Sequence, residues 1–378
     1  MKIAVACDSY KGCMNSYKVN HIIKQAIKDV NPTYEVVTFT MGDGGEGTTA
    51  AFVEACKGKW VYLKVKDSYF REVEVAYGLI DNGETAVIEV ASCIGLNMYS
   101  REKRKPMYAT SFGVGELLLD ASKRKVKKII LGLGGSATND GGMGMLQALG
   151  AKFYDKKDKY LKSNAGQLKE IQRIDLSKFR FLNNIEIVVA CDVKNTLLGE
   201  TGATQVFGKQ KGLYPNQIKK LELAMKQYAE KFKELGYDIA SHEGSGAAGG
   251  IGGALALLDA TFINGLELLC SYNRMDEVIK DCDLVITGEG QSDAQTLYGK
   301  VPIGILEITN KVQKPCICIS GALGVEYNKL YDLGFIGIYS VADRAMSFEQ
   351  ALTLAPDKLY ACTYSVMKTI RYFVEDYK

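Results

Sequence analysis

The chain is short of several things on which common chemistries depend. It has two histidines in 378 residues. Neither His21, on a helical stretch, nor His242, in a loop, sits in a Ser/Asp constellation, so a hydrolytic triad has no support. Its ten cysteines include no C-x-x-C pair, which removes the usual zinc and dithiol motifs. The tightest pair, Cys316 and Cys318 in PCICIS, has strand spacing that puts both thiols on one face, where burial is the expectation. Free thiols in this number suit a reducing compartment, and a cytoplasmic protein is expected. No apolar run is long enough to cross a bilayer: residues 244–258 are mostly Gly and Ala and too few. The apolar run after Lys2 is too short for a secretory core. A net charge of +3 is too small an excess to draw in nucleic acid or a membrane, and neither partner is expected. The basic clusters at 101–105 and 123–128 read as solvated surface.

What is present describes an ordinary globular protein, with 47% hydrophobic and 24% charged residues, and a length that favours two domains. Strand-like runs alternate with helical patterns at both ends: KIAVACD, a helix over about 17–30, YEVVTFT and a helix over about 48–56, then DLVITGEG, PCICISGAL and GFIGIYSVAD. That alternation predicts parallel sheets covered by helices. In between, VEVAYGLI and TAVIEVA flank Asp81-Asn82-Gly83-Glu84, turn chemistry that predicts an antiparallel pair and hence a different sheet. The expected fold is α/β: a flavodoxin-like parallel-sheet domain built from 1–66 and 283–378, and an inserted mixed-sheet α/β domain over 67–282 that carries a glycine-rich phosphate loop. Apolar residues from Ile218 to Leu235 recur at spacings of three and four after Pro215, which predicts a helix laid on a core.

Several strands end in loops of small residues: ACDSYKG, MGDGGEG, GGSATNDGG and TGEGQSDAQT. Ligands of open α/β sheets bind beyond the carboxyl ends of the strands. In GGSATNDGG (134–142) the glycines admit close backbone approach, Ser136 and Thr138 offer hydroxyls, and a helix is expected to start at Asn139 or Asp140 with free N–H groups for an anion. Gly141, Gly142 and Gly144 then fall in its first turns, each costing about 1 kcal/mol relative to alanine. A cost of that kind favours phosphate contact over simple capping. The P-loop pattern is absent because no lysine follows the glycines. A dinucleotide pattern does match from Gly132 to Ala137, with Asp155 after the next strand, and keeps an NAD-linked dehydrogenase in play.

The acids weigh against hydride transfer. Asp8, Asp43, Glu46, Asp192, Glu289 and Asp293 all fall just beyond strand ends, a concentration suited to phosphoryl transfer, in which a magnesium ion is held against phosphates and a carboxylate orients or deprotonates the attacking hydroxyl. Lys11, Lys211 and Lys300 sit beside glycines and suit a phosphoryl group or a substrate carboxylate.

Taken together, the stretches DSYKG (8–12), GDGGEGT (42–48), TSFGVGEL (110–117), GGSATNDGG (134–142), ACDVKNTLLG (190–199), VFGKQKG (206–212), GAAGGIGG (246–253) and TGEGQSDAQTLYGK (287–300) resemble the bacterial type-one glycerate kinase family. The resemblance implies transfer of the ATP γ-phosphate to D-glycerate at the 2-hydroxyl. Gly134, Gly135, Ser136, Thr138 and Asn139 would cradle ATP, and Asp192 and Asp293 would share the roles of base and magnesium ligand, with Glu289 as a further ligand. Lys11 would stabilise the transferred group, and Ser9, Asp43, Gln210, Lys211 and Gln291 would face glycerate. A homodimer is compatible with this reading. The chain departs from the family pattern at Cys7, Cys13, Lys194, Thr196, Lys209, Tyr298 and above all Gln291, where arginine is common and a charged bidentate fork is lost. A non-catalytic sensor of a sugar acid or nucleotide is the third reading, which Gln291 permits.

Overall fold

The computed structural model describes residues 1–42, 44–294, 296–298 and 300–376. In chain order the strands are β1 (Lys2–Cys7), β2 (Glu35–Thr38), β3 (Lys59–Lys66), β4 (Glu72–Ile80), β5 (Thr85–Glu89), β6 (Lys128–Gly132), β7 (Lys152–Tyr154) and β8 (Arg173–Asp175). They continue with β9 (Glu186–Ala190), β10 (Thr261–Ile263), β11 (Leu284–Gly288), β12 (Gln291–Ser292), β13 (Cys316–Ser320), β14 (Ala322–Leu323) and β15 (Gly337–Ser340). The chain forms two compact units, one of Met1–Asp43, Glu54–Cys56 and Leu266–Lys378, the other of Gly44–Val53 and Lys57–Gly265.

The first unit is built on a five-stranded sheet in the order β15-β13-β11-β1-β2, parallel throughout. Counted within the unit this is the flavodoxin-like order 2-1-3-4-5, whose switch point lies between β1 and the strand that follows it into the sheet, here β11. The strands are buried on both faces, which is why KIAVAC, LVITG and CICIS read as near-continuous apolar runs rather than alternations. Cys316 and Cys318 are fully buried, as their spacing predicts, and burial pushes the Cys318 thiol up to about 11. The helix Ser16–Val30 buries Val19, Ile23, Ile27 and Val30 at three- and four-residue spacing, and Asn15 caps it by accepting from Lys18 N at 2.9 Å. A second long helix, Phe348–Arg371, opens with a Ser347/Gln350 capping box.

The second unit holds a six-stranded mixed sheet, β10-β9-β6-β5-β4-β3. Here β5, β6, β9 and β10 run parallel, while β3–β4 and β4–β5 are antiparallel. The β4–β5 turn is Asp81–Gly83, with Asn82 at φ 57, a left-handed conformation that asparagine tolerates. The helix Pro215–Glu234 buries Leu221, Met225, Tyr228 and Phe232, each apolar side chain contributing roughly 1.5–3 kcal/mol. No helix among the described residues is long and apolar enough to cross a membrane, and all ten cysteines are unpaired.

Candidate functional site

The loop that leaves β6 differs from expectation in one respect. The helix begins at Met143, running to Ala148, not at Asn139 or Asp140. Gly142 precedes it at φ +72, and a Cβ there would lie 2.4 Å from Ala254 Cβ. Gly144 lies inside the helix, where a Cβ would meet Thr110 Oγ1 at 2.3 Å and Phe112 N at 2.5 Å. Close packing therefore explains these two glycines without a ligand. Gly142→Ala is expected to destabilise the protein by roughly 2–4 kcal/mol through left-handed strain and overpacking; a urea midpoint equal to wild type would contradict this. The late start also separates the helix from the Gly132–Ala137 pattern, whereas a dinucleotide fingerprint opens its helix directly. Asp155, the pattern's candidate ribose acid, accepts from Lys157 N (2.7 Å) and Lys159 N (3.0 Å) and so closes its own turn.

What organises the loop is buried polar chemistry. Asp140, fully buried, accepts from Ser111 N (2.8 Å), Ser111 Oγ (2.9 Å), Gly144 N (3.1 Å) and Gly142 N (3.2 Å). Burial raises its carboxyl above the usual range, with these donors opposing. Gly134 donates to Gly44 O at 3.0 Å and Gly135 O accepts from Leu96 N at 2.7 Å, so the loop GGSA is pinned from two sides.

The helix Ala203–Lys211 then brings Lys211 and Thr204 to the same loop. They stand seven residues apart, two turns on one face. Lys211 is 3% exposed, and its Nζ donates to Thr138 O at 2.6 Å and Ser136 Oγ at 3.2 Å. Desolvation pushes its ammonium down to about 7, with the charge of Asp140 opposing. Thr204 Oγ1 accepts from Asn139 Nδ2 at 3.0 Å. Thr138 and Asn139 are both fully buried, yet Thr138 Oγ1 and Asn139 Oδ1 have no partner among the described residues. An orphaned buried polar atom costs roughly 1–3 kcal/mol, so these two mark a place where a ligand or water completes the structure.

The other candidate in this unit is Asp192, beyond β9. It is exposed and its Oδ1 accepts from Gly265 N at 3.0 Å. Because Ala190 pairs with Gly132, Asp192 and Gly134 both lie two residues past the ends of neighbouring parallel strands. Glu89, which sequence reasoning passed over inside TAVIEVA, ends β5 and accepts from Thr49 N (2.5 Å) and Gly47 N (3.3 Å); burial raises its carboxyl. Gln210 is turned away from Lys211 and exposed, its carbonyl accepting from Arg104 Nη1 at 2.9 Å.

In the first unit, the candidates gather at the switch point. Asp8 N donates to Gly288 O at 2.8 Å, which ties the end of β1 to the end of β11, and Ser9 N donates to Asp8 Oδ1 at 2.6 Å. Lys11 is exposed, with its backbone N beside Gly290. Glu289, 4% exposed, accepts from Thr296 Oγ1 (2.6 Å), Lys300 Nζ (3.1 Å) and Ser292 Oγ (3.2 Å). Its carboxylate thereby stitches the loop 289–300 together. Asp293 N donates to Thr296 Oγ1 at 3.0 Å, and Asp293 Oδ2 accepts from Gln291 Nε2 at 2.9 Å. Gln291 thus gives one amide proton to Asp293. Asp43 lies outside the described residues.

For a magnesium ion, the described residues contain no group of three or more His, Cys, Asp or Glu side chains. Mg²⁺ bound through nucleotide phosphates needs only one or two carboxylates. Asp293 and Asp192, hard oxygen donors that are not buried in the core, fit that requirement. Glu289 fits it less well, because both its oxygens already accept hydrogen bonds.

Residues 3–371 match the model of the glycerate kinase family. The chain is 40% identical to a protein named glycerate kinase from Halalkalibacterium halodurans, covering 93% of each. It is 38% identical to the glycerate 2-kinase of Escherichia coli K12, covering 98% of each. The crystal structure of a Salmonella typhimurium LT2 protein described as a glycerate kinase 2 candidate superposes with a TM-score of 0.85 at 38% identity, over 98% of both chains.

Proposed function

This chain belongs to the glycerate kinase family, and from that premise we propose that it transfers the γ-phosphoryl group of ATP to the 2-hydroxyl of D-glycerate. The observation that carries the nucleotide part of this reading is the buried Lys211, which braces Ser136 and Thr138 while the Thr138 hydroxyl stands unpartnered. A phosphate oxygen can accept from the Thr138 hydroxyl, and from an Nζ proton that Lys211 redirects from Ser136. Gly134 and Gly135 keep the backbone slim enough for that approach. The name of the Escherichia coli relative, glycerate 2-kinase, supports the choice of hydroxyl.

In this reading the glycerate hydroxyl oxygen bonds to the γ-phosphorus as the bond from that phosphorus to the β–γ bridging oxygen breaks, and ADP leaves. The hydroxyl proton passes to a carboxylate. Asp293 and Asp192 are the two candidates, the one that is not the base holding Mg²⁺, which when bound neutralises charge on the β- and γ-phosphates. Glu289 acts as the brace of the Asp293 loop and as the reserve metal ligand. Lys11 supplies positive charge to the transferred group, and Ser9, Asp43 and Gln291 contact glycerate, while Gln210 faces outward beside Arg104. The neutral Gln291 orients its acid through a hydrogen bond rather than gripping a substrate anion with charge.

The test is a coupled assay with the full chain, ATP, Mg²⁺ and D-glycerate, with the product read by phosphorus NMR. Glycerate-dependent ADP release and 2-phosphoglycerate are expected. Absence of glycerate-dependent ADP release overturns the reading, and 3-phosphoglycerate overturns the hydroxyl assignment alone.

A further inference from the structure

The basic cluster at 101–105, which the sequence offers as plain solvated surface, takes part in a concave feature. Arg101 and Arg104, together with Val206, Lys209 and Gln210 on the outward face of the helix Ala203–Lys211, line a groove of about 450 Å³. Arg101 and Lys209 are exposed. Arg104 spends its guanidinium on carbonyls rather than on a carboxylate: Nη1 on Gln210 O at 2.9 Å and Nε on Tyr99 O at 3.2 Å. Glu102, on the same turn, is the neighbouring acid. Its own backbone and Ser100 hold its carboxyl below the usual range, Arg101 and Arg104 adding to this. Three cations therefore outweigh one acid around a hollow with a single apolar wall, Val206.

We propose that this groove is an oxyanion site for the nucleotide, tied through the backbone step from Gln210 to Lys211 to the phosphate loop at 134–139. The inference rests on the kinase reading above and adds a second binding element to it. The exposed Arg101 offers a planar fork suited to bidentate recognition of phosphate oxygens, with Lys209 adding a point charge beside it. The linkage is covalent and short. Arg104 fixes the carbonyl of Gln210, the next residue is Lys211, and Lys211 Nζ holds Ser136 and Thr138. A phosphate drawn to Arg101 and Lys209 thus meets a wall already tied to the loop.

The experiment is isothermal titration of the full chain with ADP and, separately, with D-glycerate, at two salt concentrations. The variants are the double substitution R101A/K209A, the charge reversal K209E, and K226A as a control on the exposed face of the helix Pro215–Glu234. Both groove variants are expected to weaken ADP about tenfold or more and to flatten its salt dependence, with glycerate affinity unchanged. K226A is expected to match wild type. ADP affinity equal to wild type in both groove variants overturns the proposal. So does a loss confined to glycerate, which makes the groove a carboxylate site. Circular dichroism of these surface variants separates misfolding from lost binding. A wild-type protein that binds ADP through the groove yet forms no ADP from ATP and glycerate leaves the groove standing and sinks the kinase reading.

Discussion

Replacing Lys211 by methionine is expected to lower turnover by roughly 10²–10³-fold, the scale on which loss of one preorganised donor acts, while the protein remains folded. Methionine keeps an unbranched stem of similar shape and removes the ammonium. The fold should tolerate this because the ammonium is a burden where it sits. Nζ is buried, and desolvation holds it down to about 7 against an ordinary value near 10.5. Thr138 O loses its donor in the variant, which costs about 1 kcal/mol, but the variant no longer buries a charge.

The same residue sets a pH signature. Between about pH 7 and the unfolded value near 10.4, the unfolded chain holds the Lys211 proton and the folded protein does not, so unfolding takes up a proton and stability rises with pH. Below about 7 both states are protonated and the full penalty applies. Integrated over the window the gain is of order 4 kcal/mol. Asp140, the carboxyl whose charge favours the ammonium, tempers it. Buried thiols act in the opposite direction in both proteins, because their raised values stabilise the protonated native state less as pH rises. The difference between wild type and Lys211→Met isolates the lysine. Urea midpoints at pH 7 and 9.5 measure it: wild type gains relative to the variant as pH rises. An identical pH dependence in the two proteins contradicts a buried, titrating Lys211.

The second large effect concerns Asp293. Asp293→Asn is expected to lower kcat on the order of 10²-fold or more if this carboxylate is the base. Asparagine preserves size and can still accept from Gln291 Nε2, so the 289–300 loop keeps its brace through Glu289. Asp192→Asn, measured beside it across a range of Mg²⁺ concentrations, assigns the roles. The variant whose loss shrinks as Mg²⁺ rises has lost a metal ligand; the one whose loss persists has lost the base. A folded Asp293→Asn protein with near-normal turnover at every Mg²⁺ concentration removes Asp293 from both.

Periodicity made the parallel core legible. KIAVAC, LVITG and CICIS had to be two-face-buried strands, and Asp81-Asn82-Gly83 had to be a tight turn, because few other conformations bury those runs or accept a left-handed asparagine. The 215–234 helix followed from spacing alone. Less legible was anything decided by direction rather than position. Gln210 and Lys211 are neighbours in VFGKQKG, yet successive residues on a helix point about 100° apart, and one faces solvent while the other is buried under the loop. The helix start at Met143 was hidden because Gly141 and Gly142 take left-handed conformations, and Asp140 caps from inside the core, a partnership with Ser111 that no local pattern encodes. Glu289's part as a brace was hidden likewise, because no local pattern shows that the hydroxyls of Ser292 and Thr296 fold back on it. Thr204 carried one faint signal, its two-turn spacing from Lys211.

The most direct measurement is a crystal structure of the full chain with Mg²⁺ and a non-hydrolysable ATP analogue. Phosphate oxygens within hydrogen-bond reach of Thr138 Oγ1 and Lys211 Nζ are the predicted result. Nucleotide bound elsewhere, with the 134–139 loop and Thr138 Oγ1 left as they are now, contradicts it.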